Sequence, residues 1–286
     1  MHGWLPTAHP VAPAPASAVL SGVITKSGVL AVLRVVYFVV GPEVLRGTWV
    51  QQVWILLTLL TVFMGSMLAY KEPLLKKRLA YSTVSQVSYV LFGLSMLQPQ
   101  AFVGALSHVV FHSLIKNALF LCAGAVIMMT GKTQVKDMRG LGRRMPVLLG
   151  CYTVVSLALV GIPPASGFIS KWYLACGALA SGTGVWAWLG PVVLLMSALL
   201  TAGYLLPLTI QGFFPGADWD KEMPKLHAGQ VSQELHWEAA AEDRKKAEPW
   251  VWMLAPILVL TAGALLFGCF PGALIRMLET IGAGVL

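Results

Sequence analysis

The chain has 286 residues, of which 57% are hydrophobic and only 11% charged, and its mean hydropathy is +0.75. A soluble domain carries roughly 25% charged residues, so composition excludes a water-soluble enzyme or binding module and points to an integral membrane protein. The formal charge of +8 does not make nucleic acid a partner, because the densest Lys/Arg clusters sit in loops between apolar runs, as the positive-inside rule produces.

Residues 1–16 contain four prolines and no Lys or Arg. They read as an extended or interfacial segment without the basic start of a signal peptide. Seven apolar spans follow, each long enough for a hydrocarbon core of about 30 Å. The first runs from about Ser17 to Val40, with Lys26 inside it and Arg34 near its end as an interfacial anchor. The second covers about Val50 to Tyr70 and leads into the basic turn Lys71, Lys76, Lys77 and Arg78. The third, about Leu79 to Leu97, places Ser82, Ser85, Gln86 and Tyr89 roughly on one helical face. They serve either as helix–helix hydrogen bonds or as a polar path.

The fourth span ends near Gly131 and carries the sequence LSHVVFHSLIKNALFL. A second basic loop follows, with Lys132, Lys136, Arg139, Arg143 and Arg144. The fifth span, about Val147 to Leu179, is interrupted by GIPPASG. Pro163 and Pro164 each remove a backbone donor, so a break or a kink is expected there, with Lys171 just beyond. The sixth span is about Trp186 to Phe213. A polar segment, 214–248, contains His227, His236 and a short helix expected at about Trp237 to Lys246. The last span is about Pro249 to Phe270, followed by a short tail. Basic loops on one side put the N-terminus and the 214–248 segment in the cytoplasm and the C-terminus outside. The location expected is the plasma (inner) membrane, with the chain crossing it several times.

Three lysines and two histidines lie within spans: Lys26, Lys116, Lys171, His108 and His112. All twelve Asp and Glu lie elsewhere. His108, His112 and Lys116 fall at i, i+4 and i+8, which puts them on one face of a helix over about 12 Å. Either histidine alone reads as a hydrogen-bonded core residue. Together with Lys116 they form a line of groups that can gain and lose protons, and such groups inside a bilayer face a bundle interior or a hydrated path. A metal site at the two histidines lacks a carboxylate or third ligand, and the zinc-protease glutamate is absent between them. Cys122, Cys151, Cys176 and Cys269 show no metal or disulfide spacing. Neither a Gly-rich nucleotide motif nor a cysteine cluster for iron–sulfur occurs, so no cofactor is expected and the chain is not read as an enzyme by itself.

Four stretches in order, HGWLPTAHPVAPAPASAVLSGVITKSGV, KKRLAYSTVSQVSY, SHVVFHSLIKNALF and GIPPASGFISKW, resemble the antiporter-like subunits of respiratory complex I, Mrp-type cation/proton antiporters and membrane-bound hydrogenases. DMRGLGRRMP and GFISKWYLACGAL are most similar to the Mrp D-like and hydrogenase-associated branch. The resemblance implies an all-α membrane fold corresponding to the second half of a fourteen-helix subunit with two inverted repeats, each with a broken helix. It implies that Lys26 resembles the lysine bridging two half-channels, that Lys116 with His108 and His112 resembles the central relay, and that Lys171 resembles the terminal residue of the second broken helix. The family's first seven helices, with their glutamate and partner lysine, have no counterpart here. The expectation is therefore a fragment, or a chain completed by a partner supplying those helices. The implied function is proton translocation within a multi-subunit membrane complex, with sodium as a second candidate ion. The competing reading is a structural, non-conducting half.

Overall fold

The computed structural model describes residues 3–216 and 248–286, and every regular element among them is helical. Five helices are long and apolar enough to cross a membrane: Ala14–Val40, Trp49–Lys71, Pro99–Thr130, Val185–Phe213 and Val251–Cys269. The first is composite. It consists of α2 (Ala14–Val19), a π-turn (Leu20–Ile24), α3 (Thr25–Arg34) and a second π-turn (Val35–Val40). After a single turn, α4 (Pro42–Leu45), come α5 (Trp49–Lys71), α6 (Leu75–Ser95) and α7 (Pro99–Thr130).

Of the 21 residues of α6, 17 are buried. That explains why this helix tolerates so many hydroxyl side chains: it touches lipid almost nowhere, and its polar groups meet protein partners instead. By contrast α5 and the later spans expose Leu57, Met64, Leu195, Leu199, Val259 and Leu266, an apolar surface suited to lipid. The two basic loops are tied together by backbone hydrogen bonds, Leu75 N to Thr133 O at 3.0 Å and Val135 N to Pro73 O at 3.1 Å. Arg78 locks this end further, donating from Nε to Glu72 O at 2.8 Å and from Nη1 to Tyr204 O at 2.9 Å.

The fifth span is broken. A one-turn helix, α8 (Leu141–Arg144), precedes α9 (Pro146–Val160), and α10 (Ser166–Leu179) follows the break. Their 15 and 14 residues give each half about 20 Å at 1.5 Å per residue, too short to cross alone. Gly161, at φ +95°, ends α9 in a conformation that a side chain would strain. At its start α9 is capped from far along the chain, where Glu248 accepts from Val147 N at 2.6 Å and Leu148 N at 3.3 Å. The remaining long helices are α11 (Val185–Phe213) and α12 (Val251–Cys269).

Two terminal segments carry helices, so the first is not extended throughout. Part of the Pro-rich segment 1–16 is helical: α1 (Leu5–Val11) and the start of α2 contain it. Pro6 and Pro15 sit in first turns, where the missing N–H has no helical partner to lose. The C-terminal tail is likewise a helix, α13 (Gly272–Val285), with Ile275, Leu278 and Gly282 buried and the first two clustered with Val103 of α7. The short helix expected at 237–246, with His227 and His236, lies outside the described residues.

Candidate functional site: a line of lysines and histidines

The stripe on α7 is buried as its spacing requires. Lys116 is fully enclosed, and His108 and His112 are 2% and 1% exposed. The two imidazoles stack with ring centroids 5.7 Å apart. His108 is held from both sides, with Nε2 3.1 Å from Gln86 Oε1 and Nδ1 2.9 Å from Ser170 Oγ. Ser170 also lies 3.2 Å from Gly167 O. Its hydroxyl can donate to Nδ1 of a neutral ring, or turn to Gly167 O and accept from a protonated one. One side chain thus accommodates both states of the histidine. His112 Nε2 has no hydrogen-bond partner.

Lys26 and Lys116 are connected residue by residue through polar contacts, with Ser21 meeting Lys26 by its main-chain carbonyl and Thr83 by its hydroxyl. Lys26 Nζ donates to Ser21 O, a carbonyl in the first π-turn. The Ser21 hydroxyl lies 2.6 Å from that of Thr83, and Thr83 donates to Leu79 O at 3.0 Å. The same carbonyl accepts from Lys116 Nζ at 3.0 Å. Each lysine therefore rests on a main-chain carbonyl, and a hydroxyl pair spans the gap. Sequence reasoning missed Ser21 and Thr83. They are 62 residues apart, and neither stands out among the many serines and threonines of the apolar spans.

Lys171 sits at the broken helix. It donates to Leu159 O at 2.7 Å and Val160 O at 2.9 Å, two carbonyls left without intrahelical partners where α9 ends. The negative end of that helix dipole faces the ammonium group and stands in for a carboxylate. Lys171 Nζ also lies over the Tyr89 ring, 5.3 Å from its centroid. Pro163 and Pro164, joined by a cis bond, lie between these carbonyls and α10. Gly167 closes the corner, where a Cβ would stand 1.9 Å from Ala158 O.

The four polar residues of α6 lie on one side of the helix by their spacing, but their partners differ. Gln86 and Tyr89 meet the relay: Gln86 bonds His108, and the Tyr89 ring stacks 5.6 Å from it while its hydroxyl donates to Leu194 O at 2.8 Å. Ser82 and Ser85 turn away. Ser82 accepts from Tyr204 at 2.6 Å. Ser85 joins Ser66 at 2.8 Å, and Ser66 joins Ser197 at 2.6 Å. This second group ties α5, α6 and α11 together. Among the described residues no three His, Cys, Asp or Glu side chains are gathered as a metal site would need.

The fold and this line of groups define a multi-pass membrane protein with titratable side chains buried along its interior. The family described as NADH:quinone oxidoreductase/Mrp antiporter, TM, matches residues 1–209, and the chain belongs to it. The chain is 35% identical over 281 residues to NADH-quinone oxidoreductase subunit N of Desulforudis audaxviator, a match covering 94% of this chain and 51% of the relative. To a subunit of the Na(+)/H(+) antiporter of Bacillus subtilis it is 33% identical over 227 residues, 79% of this chain and 44% of that one. The fold matches a chain of the Mrp complex from Dietzia sp. with a TM-score of 0.79 at 24% identity, over 99% of this chain and 55% of the other. The chain spans about half the length of the curated relatives it matches.

Proposed function

We propose that the chain is the proton-translocating half of an antiporter-like subunit, working in a complex I-like, hydrogenase or Mrp-type membrane assembly. Its partners in this reading are other membrane subunits, including a source of the preceding helices. Its substrate is the proton, with sodium as a second candidate. The basic loops, paired through their backbones, face the cytoplasm, and the C-terminus lies outside.

The observation that carries this reading is the contact chain from Lys26 through Ser21, Thr83 and Leu79 O to Lys116. Like charges in a low-dielectric interior repel strongly, and these contacts hold Lys26 and Lys116 on neighbouring helices with only Ser21 and residues of α6 between them. A proton arriving on Lys26 therefore disfavours one on Lys116, which passes it towards His112 and His108. Ser170 lets His108 hold either state, and Lys171 receives the charge at the carbonyls of the broken helix. Replacing Lys116 or Lys171 with Ala in the full assembly abolishes coupled proton movement and leaves assembly intact. Unchanged flux in either variant refutes the relay.

One observation favours the structural alternative: each lysine is already satisfied by carbonyls, so the chain is electrically self-sufficient without conducting. Proteoliposomes separate the two readings. Proton leak or sodium/proton exchange through this chain supports conduction, and tight vesicles support a docking role.

A further inference from the structure

At the end of the bundle where the two basic loops pair, α5, α6, α11 and the second loop enclose a cleft of about 320 Å³, far more than one water fills. Its wall on α11 is made by Gly203, Pro207 and Gln211, which recur every fourth residue and so share one helix face. Facing them are Tyr70 of α5, Arg78 of α6 and Lys136 of the second basic loop. Pro207 has no N–H to offer the carbonyl of Gly203. Gly203 in turn lets the Tyr70 ring lie close, since a Cβ there would stand 3.0 Å from Tyr70 Cε2. Gln211 Oε1 is buried and has no hydrogen-bond partner. Arg78 is only 9% exposed. Its Nε and Nη1 are fixed on the main-chain carbonyls of Glu72 and Tyr204, which leaves Nη2 to serve the cleft.

Arg78 is thus a buried cation that forms no ion pair among the described residues. Glu72 spends its carboxylate on Lys77 at 3.1 Å and on Leu74 N at 3.2 Å, and neither Glu72 nor Asp137 lines the cleft. A buried charge without a counter-ion is costly, so an anion entering here is favoured, and Arg78 with Lys136 suits a phosphate. The mouth of the cleft points to the source of that phosphate. Tyr70 is 52% exposed at the end of its span, and Leu68 on α5 and Ile210 on α11 are exposed close by in sequence. Aromatic and apolar side chains meet basic ones in this way at the level of lipid headgroups. We infer that the cleft binds the phosphate of an anionic phospholipid whose headgroup carries hydroxyls, as in phosphatidylglycerol. The phosphate accepts from Arg78 Nη2 and Lys136 Nζ. A headgroup hydroxyl donates to Gln211 Oε1, which the phosphodiester, having no proton, leaves unserved. The site lies apart from the lysine line and stands whether or not that line conducts.

The test counts lipids retained by the full chain in detergent, by native mass spectrometry, on titration with phosphatidylglycerol, phosphatidylcholine or inorganic phosphate. Phosphatidylcholine carries the same phosphate without a hydroxyl donor and with a cancelling ammonium, so it is expected to bind about tenfold more weakly than phosphatidylglycerol. Lys136→Gln should weaken phosphatidylglycerol about fivefold, Gln211→Leu about threefold, and Arg78→Gln about tenfold or more. Arg78→Gln also loses the bond to Tyr204 O, so Lys136→Gln and Gln211→Leu carry the decision if it does not fold. Equal binding of the two lipids overturns the inference, as does native affinity for phosphatidylglycerol in both Lys136→Gln and Gln211→Leu. Inorganic phosphate that binds as tightly as phosphatidylglycerol and competes with it makes the ligand a free anion and overturns the lipid source.

Discussion

Two polar systems meet on α6, and they differ in what their chemistry permits. Towards α7, Gln86 and Thr83 contact His108 and, through Leu79 O, Lys116: groups whose protons can leave. Towards α5 and α11, Ser66, Ser85, Ser197, Ser82, Thr201 and Tyr204 bond one another. Hydroxyls do not change charge near neutral pH; the second system consists of hydroxyls alone and fastens helices, whereas the hydroxyls of the first connect to buried lysines and a histidine. Burial alone does not distinguish them. Residues of both are enclosed, and the difference is whether the hydroxyls lead to groups whose protonation state can change.

The largest effect expected from breaking this contrast is at Lys116. Lys116→Met keeps most of the length of the side chain and removes the titratable amine; translocation should fall by about 10²-fold, measured in vesicles, with the assembly still formed. Next comes Gly167, where an added Cβ meets Ala158 O. Gly167→Ala should destabilise the protein by about 1–3 kcal/mol, read by thermal unfolding in detergent, and slow translocation by shifting the corner beside Lys171. In the hydroxyl system, Ser66→Ala should cost about 1 kcal/mol with unchanged proton flux. A Ser66 variant that stops flux would erase the distinction between the two systems.

The smallest effect lies at the surface of the basic turn. Lys77 Nζ is 3.1 Å from Glu72 Oε2, and the hydrogen bond and charge of that carboxylate hold Lys77 above its ordinary value of 10.5. A raised value means the pair's contribution is fully present below the unfolded value and is lost as pH rises through the folded one. The protein should therefore lose a little stability above pH 10.5, and Lys77→Met should remove that part of the decline. Titrating thermal stability of both proteins at alkaline pH checks it.

Much of the site was legible because it lies within one helix. The i, i+4, i+8 spacing of His108, His112 and Lys116 fixes a shared face whatever surrounds it, and Pro163-Pro164 breaks a helix for local reasons. Ser82, Ser85, Gln86 and Tyr89 show the limit. Periodicity placed them near one another, but with α6 buried on nearly all sides, the neighbour opposite each residue decides its role. Ser21 and Thr83 gave no signal in isolation, since each depends on a contact made across 62 residues of chain.

The sequence by itself determined the membrane class, the order of the apolar spans, the broken helix and the stripe on α7, because apolar length and helical period act locally. Only the tertiary structure decided how the cations are held. In a bundle without a membrane-embedded carboxylate among its described residues, Lys26, Lys116 and Lys171 find main-chain carbonyls freed or shared at a π-turn, a neighbouring helix and a helix end. Which carbonyls are within reach is set by helix packing, and that packing also brings the hydroxyl bridge to the line.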